Sequence, residues 1–206
     1  SGGVMNYDFL SWTNYKIAQG STEVVTTLRP PLNESRAKCV LAVPTDSTVM
    51  TIRDHIIGKN GYVEYYSRNA TDAINAVRSN RTNIVGIADE IQDYQMYYDG
   101  KLNPNRKVSV AKTSGRVSVS AQPLIELEKA LVMGGITPYS MLAFQRNFVI
   151  GRALSLDDGV YDARGKDFQI QLEYTGTAPS FNKLWNVWCG HLRRIVISGD
   201  SIALER

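Results

Sequence analysis

The residues that could do chemistry are few, and several fall in one short stretch near the end of the sequence. The stretch LWNVWCGHLRRIVIS, 184–198, contains Cys189 and His191. Side chains two positions apart on a strand point to the same face, so this pair could offer two ligands to a zinc ion. The chain has only 2 cysteines and 2 histidines, so the other two ligands would be Cys39 and His55. The alternative is a buried structural strand.

The spacing favours the structural alternative. Neither pair shows the C-x₂-C or H-x₃₋₅-H spacing of structural zinc sites, and both cysteines lie in apolar runs typical of buried, reduced thiols. A nucleophilic pair is also disfavoured, because the side chain at i+2 points parallel to the thiol rather than toward it. We therefore predict that Cys189 and His191 are structural and that Trp185 or Trp188 packs inward.

Two adjacent carboxylates, Asp157 and Asp158 in LDDG, are a second candidate, for calcium binding or acid/base work. Adjacent side chains diverge on a regular backbone, and no D-x-D-x-D-G pattern surrounds them, so the sequence predicts a turn with solvated acids. Neither G-x-G-x-x-G nor G-x-x-x-x-G-K-[ST] occurs in the sequence. We therefore predict no catalytic residue, no cofactor, no metal site and no enzymatic activity.

Tyrosine is abundant, with 11 residues that cluster in YVEYYS and YQMYY, and Arg68 and Arg81 are near in sequence. Aromatic and basic groups together can stack on nucleic acid or sugars. They are equally the residues that protein interfaces need, because tyrosine supplies a large contact area at low entropy cost. The mixed charge around these tyrosines favours an interface.

Composition indicates one globular domain. The chain has 206 residues, 43% of them hydrophobic, and a net charge of +3 without a long block of like charges. No apolar run is long enough to cross a membrane, and the start SGGVMNYDF lacks the regions of a signal peptide. The sequons at Asn33, Asn69 and Asn80 therefore carry little weight, and we expect assembly inside a cell.

Hydrophobic periodicity predicts short strands separated by Gly, Pro and Asn turns, without the regular helix after each strand that a parallel sheet needs. A helix is predicted from an N-cap at Ser120 to a stop at Gly134, a second over 45–58, and a helical turn over 72–78. This pattern indicates an antiparallel sandwich or barrel of about eight strands. Residues 1–22 are predicted to be an extension or link, and 23–206 one domain with a polar insertion over 62–82.

The order of several segments resembles the C-terminal jelly roll of double-jelly-roll major capsid proteins from virophages, polinton-like viruses and adenovirus-like elements. The resemblance spans about residues 25–206 and rests on five stretches: RAKCVLAVP, YQMYYDGKLNPNRKV, PLIELEKALVMGG, FVIGRALSLDDGVYDARGKDFQIQLEYTG and LWNVWCGHLRRIVISGDSIALER. Those proteins carry two jelly rolls, whereas this chain has room for about one with insertions.

The resemblance implies a mainly β, antiparallel jelly-roll sandwich with two or three short helices in its connections. It implies a structural capsid protein that packs against a second jelly-roll domain or chain in a homotrimeric, pseudo-hexameric capsomer. Neighbouring capsomers and penton or minor capsid proteins would be its partners in an icosahedral virion. The alternative from another class is a carbohydrate-binding, lectin-like jelly-roll module, also non-enzymatic.

Overall fold

The chain is described here from a computed structural model, in which residues 3–20, 22–47, 91–103, 105–110, 121–137, 148–155, 159–174, 182–199 and 201–205 can be placed. Two predicted features lie wholly outside these residues, the helical turn over 72–78 and the polar insertion over 62–82. The second predicted helix, over 45–58, lies mostly outside them, but its predicted start is wrong, because Thr45 and Asp46 belong to a strand. The described residues form ten strands and one helix.

The helix and strands follow one another in this order: β1 (Val4–Gln19), β2 (Val25–Leu28), β3 (Ala37–Asp46), β4 (Ile91–Tyr98), β5 (Lys101–Leu102), β6 (Val108–Ser109), α1 (Ala121–Met133), β7 (Ile150–Ala153), β8 (Phe168–Tyr174), β9 (Lys183–Ser198) and β10 (Ser201–Glu205).

The strands form two antiparallel sheets. The first sheet has the order β1-β9-β3-β7, with β10 also paired to β9, and the second has the order β2-β8-β4-β5, with β6 paired to β4. From β1 to β4 and from β7 to β9, successive strands alternate between the two sheets, which is the crossover pattern of a jelly roll. The described residues thus confirm the predicted fold class.

The core lies between the two sheets. In β8 buried and half-buried residues alternate strictly, and the buried ones are those predicted to face inward: Phe168, Ile170, Leu172 and Tyr174. From the first sheet, Trp185 and Val187 of β9 meet them and are fully buried. The intervening residues of β8 are only half-buried, because they face outward on the second sheet.

Helix α1 begins and ends where its sequence signals predict. After Met133 the chain closes with Gly135 at φ 64°, and Ile136 N–H donates to the carbonyl of Leu131 at 2.8 Å. Only glycine adopts this left-handed conformation without strain, so the helix ends in a Schellman motif. Gly134 has a separate role, since a Cβ there would lie 2.8 Å from the ring of Trp12.

The helix packs on the outer face of the first sheet, opposite the core. Leu127 contacts Gly151 of β7, where an added Cβ would lie 2.7 Å from Leu127 Cδ1. At the edge of the sandwich, Glu126 pairs with Arg152, which also donates to the side-chain oxygen of Asn103. Both charged residues of this pair are buried, so α1 is joined to β7 by an ion pair as well as by apolar contacts.

The first strand differs from the predicted domain boundary. Residues 1–22 were expected to precede the domain, yet β1 pairs with β9 over its full length, from Val4 opposite Ser198 to Gln19 opposite Lys183. No strand pairs with the outer edge of β1 among the described residues, and most of the strand is at least partly exposed.

Candidate functional site

Of the candidate zinc ligands, Cys189 and His191 lie on β9 and Cys39 lies on the neighbouring strand β3. Cys189 shares its face with Trp185 and Val187, so its side chain points into the sandwich. Cys39 of β3 lies opposite Gly190, and a Cβ added to Gly190 would be 2.9 Å from Cys39 Sγ. The Cys39 side chain therefore lies on the outer face, beneath α1.

The two thiols cannot serve one site in this arrangement. Both are free and buried, and they point to opposite faces of the same sheet. His55, the fourth ligand of the hypothetical zinc site, lies outside the described residues. Across the described part of the chain, no group of three or more His, Cys, Asp and Glu side chains is arranged to hold a metal ion.

The electrostatics of the Cys189–His191 pair do not activate a nucleophile. Burial raises the pKa of Cys39 to about 12, and burial with the nearby Glu34 carboxylate raises that of Cys189 still further. A reactive cysteine needs the opposite shift, toward the thiolate at neutral pH. Burial also lowers the pKa of His191, and its Nδ1 has no hydrogen-bond partner among the described residues.

An open groove of about 400 Å³ lies at the end of the core beside His191. Its lining is mostly polar and charged and comes from β1, β9 and two loops: Thr13, Asn33, Glu34, Ser35, Arg164, His191, Leu192 and Arg193. Tyr15 donates its hydroxyl to Glu34 at 2.6 Å, and Arg164 is paired with Asp162 at 2.8 Å. The groove can accept polar groups, but the described residues place no activated nucleophile and base together in it.

The other candidate residues from the sequence, the Asp157–Asp158 pair and the tyrosine clusters, lie partly in the core and partly outside the described residues. Asp157 and Asp158, and the tyrosines and arginines of 62–82, lie outside the described residues. In YQMYY, however, Tyr94 and Tyr98 are 2% and 7% exposed, and Tyr98 stacks on Phe168 with ring centroids 5.1 Å apart. The expectation that this cluster needs a partner is therefore wrong for these two tyrosines, because β4 is a central strand whose inward positions fill the core.

A different surface, which the sequence analysis missed, carries exposed apolar side chains. Beyond His191, β9 no longer pairs with β3 and instead pairs with β10, so the first sheet continues as a three-stranded projection. We call it the arm and define it as residues 4–9, 193–198 and 201–205. The alternation of Met5 with Tyr7 and of Ile202 with Leu204 is the sequence signal that could have revealed it.

The described residues include no helix that is both long and apolar enough to span a membrane. No protein-family model matches the sequence. No curated protein matches it either.

The fold is similar to that of solved capsid structures. A quasi-atomic model of the PBCV-1 virus capsid matches with a TM-score of 0.53 and 13% identity, over 98% of this chain and 52% of that chain. PBCV-1 VP54, fitted into a reconstruction of the virophage Sputnik, matches with a TM-score of 0.54 and 12% identity, over 100% of this chain and 52% of that one. The mavirus major capsid protein gives a TM-score of 0.43 at 11% identity, over 98% and 41% of the two chains.

The similarity covers unequal shares of the two chains that are compared. This chain spans about half the length of the two PBCV-1 chains that it matches, 52% in each case. The similarity extends over nearly the whole of this chain, so it includes β1 as well as the segments on which the sequence resemblance rests. The comparison therefore confirms the jelly-roll fold predicted from the sequence.

Proposed function

We propose that this chain is a structural protein of a viral capsid, the jelly-roll part of a trimeric capsomer in an icosahedral shell. Its partner within the capsomer is a second jelly-roll domain or chain, which completes a pseudo-hexameric unit. The capsomer contacts neighbouring capsomers and penton or minor capsid proteins. The protein assembles in the host cell interior and resides in the virion.

One observation carries this proposal: nearly all of the chain matches solved capsid chains, and it covers only about half of each, 52%. Fold alone does not determine function, so this similarity supports the proposal in combination with the chemistry of the chain. A jelly roll that corresponds to half of a capsid chain leaves room for the second jelly roll that the sequence resemblance implies.

The chemistry of β9 supports a structural role. The side chains that could have formed a reactive pair are held apart or deactivated: Cys189 lies in the core with a raised pKa, and Cys39 lies on the other face under α1. Both cysteines are used as small apolar side chains in packed layers. Polar groups with stabilising partners, such as Gln19, likewise connect strands within the fold.

Electron microscopy of the purified chain tests the proposal against the carbohydrate-binding alternative. We expect class averages with threefold or pseudo-sixfold symmetry, and no specific signal on a glycan array. Single-domain particles without symmetry, together with specific glycan binding, would overturn the capsid proposal. A Trp188→Ala variant serves as a control for the glycan array, because Trp188 is the described tryptophan that is exposed, at 40%. Glycan binding that this variant abolishes would assign a carbohydrate site to the outer sheet face.

A further inference from the structure

The arm has one face that is apolar across all three strands. Residues directly opposite one another in neighbouring strands share a face, and the pairing gives two such rows across the arm. The rows are Met5–Ile197–Ile202 and Tyr7–Ile195–Leu204. The outer positions are open to solvent: Met5 is 66% exposed, Tyr7 63%, Ile202 76% and Leu204 51%.

This apolar face continues the core-facing side of the first sheet. Stepping by two along β9 from Ile195 leads through Arg193 to His191 and Cys189. The next two residues on this face, Val187 and Trp185, are fully buried. Within the sandwich, the second sheet covers this side. At the arm, the same side of the sheet is left exposed, so the arm is one layer of a sandwich whose second layer is not supplied by the described residues.

The opposite face of the arm is mixed: apolar Val4, Val196 and Ala203 lie among polar residues, and Asp8 and Arg194 form an ion pair on it. Asp8 accepts hydrogen bonds from Arg194 at 2.8 Å and from Arg36 at 3.0 Å. These two guanidinium groups hold the pKa of the Asp8 carboxyl well below its usual range. On this opposite face no row is apolar across all three strands, so the contact surface is the face that carries the two apolar rows.

The size of the apolar face fits a contact between two copies. An aromatic side chain such as Tyr7 buries on the order of 200 Å² when fully covered, and the Met, Ile and Leu side chains bury slightly less. The exposed parts of the four side chains together therefore offer roughly 500 Å². A patch of that size lies in the upper part of the range for exposed patches on monomers, which often mark interaction sites. Two such faces in contact would bury about 1,000 Å² in total, which is the lower limit for a specific interface.

The charge distribution also fits a second copy. Neither row carries a formal charge, so two identical faces meet without like-charge repulsion. The nearest charge on this face is Arg193, in the next row, opposite Phe9. In an antiparallel, twofold-related pair, the Arg193 side chains of the two copies lie at opposite ends of the contact.

We propose that the arm is a homotypic docking surface, in which the apolar faces of two copies stack as the two layers of a β-sandwich. Sheets pack in this way about 10 Å apart, with interdigitated side chains. The contact is isologous and does not rest on the capsid role, because it follows from the exposed face alone.

Sedimentation equilibrium of the full chain, with two matched variants, tests this contact. Ile202→Asp places a carboxylate in the apolar face, and Ala203→Asp places the same carboxylate on the same strand but on the opposite face. Ala203 is also exposed, so the two variants perturb β10 alike. We expect Ile202→Asp to halve the mass of the assembly and Ala203→Asp to leave it unchanged, with near-ultraviolet circular dichroism unchanged in both.

A photo-crosslinker in place of Ile202 gives an independent readout. We expect a product of twice the chain mass, joined between peptides that contain residues of the two arms. An unchanged mass for Ile202→Asp, a wild-type protein without the twofold step, or crosslinks outside the arm would overturn the proposal. Flotation of the wild-type chain with neutral phosphatidylcholine vesicles, abolished by Ile202→Asp, would also overturn it and assign the face to lipid. The twofold step is distinguishable from the threefold multiple that the capsid proposal requires.

Discussion

Trp185 donates its indole N–H to Gln19 Oε1 at 2.7 Å, and so joins the first residues of β9 to the last residue of β1. The Gln19 amide also reaches the second sheet, because its Nε2 donates to the hydroxyl of Tyr174 at 2.9 Å. All three side chains are buried, with Gln19 only 3% exposed. One amide therefore connects both sheets of the sandwich.

Gln19→Ala is expected to destabilise the fold by about 2 kcal/mol, because it leaves the buried Trp185 donor without its acceptor and removes one partner of Tyr174. Chemical denaturation followed by tryptophan fluorescence measures the change. Lys16→Ala is the matched control, since Lys16 lies on the same strand and is exposed. Equal free energies of unfolding for the two variants would show that the hydrogen bonds of Gln19 do not stabilise the fold.

Glu126→Gln is expected to cost about 3 kcal/mol, because it leaves Arg152 as a buried charge without its carboxylate partner. Glu128→Gln, on the same helix but only half-buried, is expected to change stability by less than about 0.5 kcal/mol. Thermal unfolding of both variants makes the comparison. A loss confined to the Glu128 variant would contradict the assigned role of the ion pair.

The two thiols are expected to be unreactive in the folded protein and fully reactive in denaturant. Burial raises the pKa of Cys39 to about 12, so neither thiol is ionised at pH 8. Titration with an aromatic disulfide reagent should detect 2 reactive thiols per chain after unfolding and none before it. Stoichiometric zinc by elemental analysis, lost in Cys189→Ala, would sink the structural interpretation of this strand.

His191 is expected to make the protein less stable as the pH falls below about 6.5. Burial lowers the pKa of His191 from its ordinary value of 6.5, so the unfolded chain binds a proton in a range where the folded chain does not. The stability contribution of the neutral imidazole is therefore complete above pH 6.5 and is lost on acidification. Denaturation at pH 7 and pH 5 measures it.

In His191→Gln this part of the pH dependence should vanish, while His55→Gln keeps it. The Asp8 carboxylate does not contribute to the change between pH 7 and pH 5. Its arginine partners lower its pKa from 3.8, so the stability that it provides is lost only below about pH 3.8. An identical slope between pH 7 and pH 5 in wild type and His191→Gln would contradict the assignment.

Strict alternation made the fold class predictable. Phe168, Ile170, Leu172 and Tyr174 face the core as expected, and α1 follows from its proline, its apolar stripe and its glycine stop. Trp185 packs inward, as one of the two tryptophans was expected to do, whereas Trp188 lies on the outer face and is 40% exposed. A buried sheet imposes a period on its residues, and the sequence preserves that period.

The arm and the positions of the tyrosines could not be predicted so directly. Met5 and Tyr7 alternate with Asn6 and Asp8, which indicates a strand, but the arm exists only because this strand pairs with β9, about 190 residues along the chain, and because β10 pairs with β9 in turn. Tyr94 and Tyr98 were assigned to an interface from composition, but whether a strand is central or at an edge depends on pairing far along the chain. Such pairing is not encoded in a local pattern.

The central claim is that this jelly roll is a building block of a trimeric capsomer. Its most direct test is the mass of the Ile202→Asp variant by light scattering at tens of micromolar, where the arm contact has been removed. The account predicts a threefold multiple of the chain mass. A folded, monomeric chain at this concentration would contradict it.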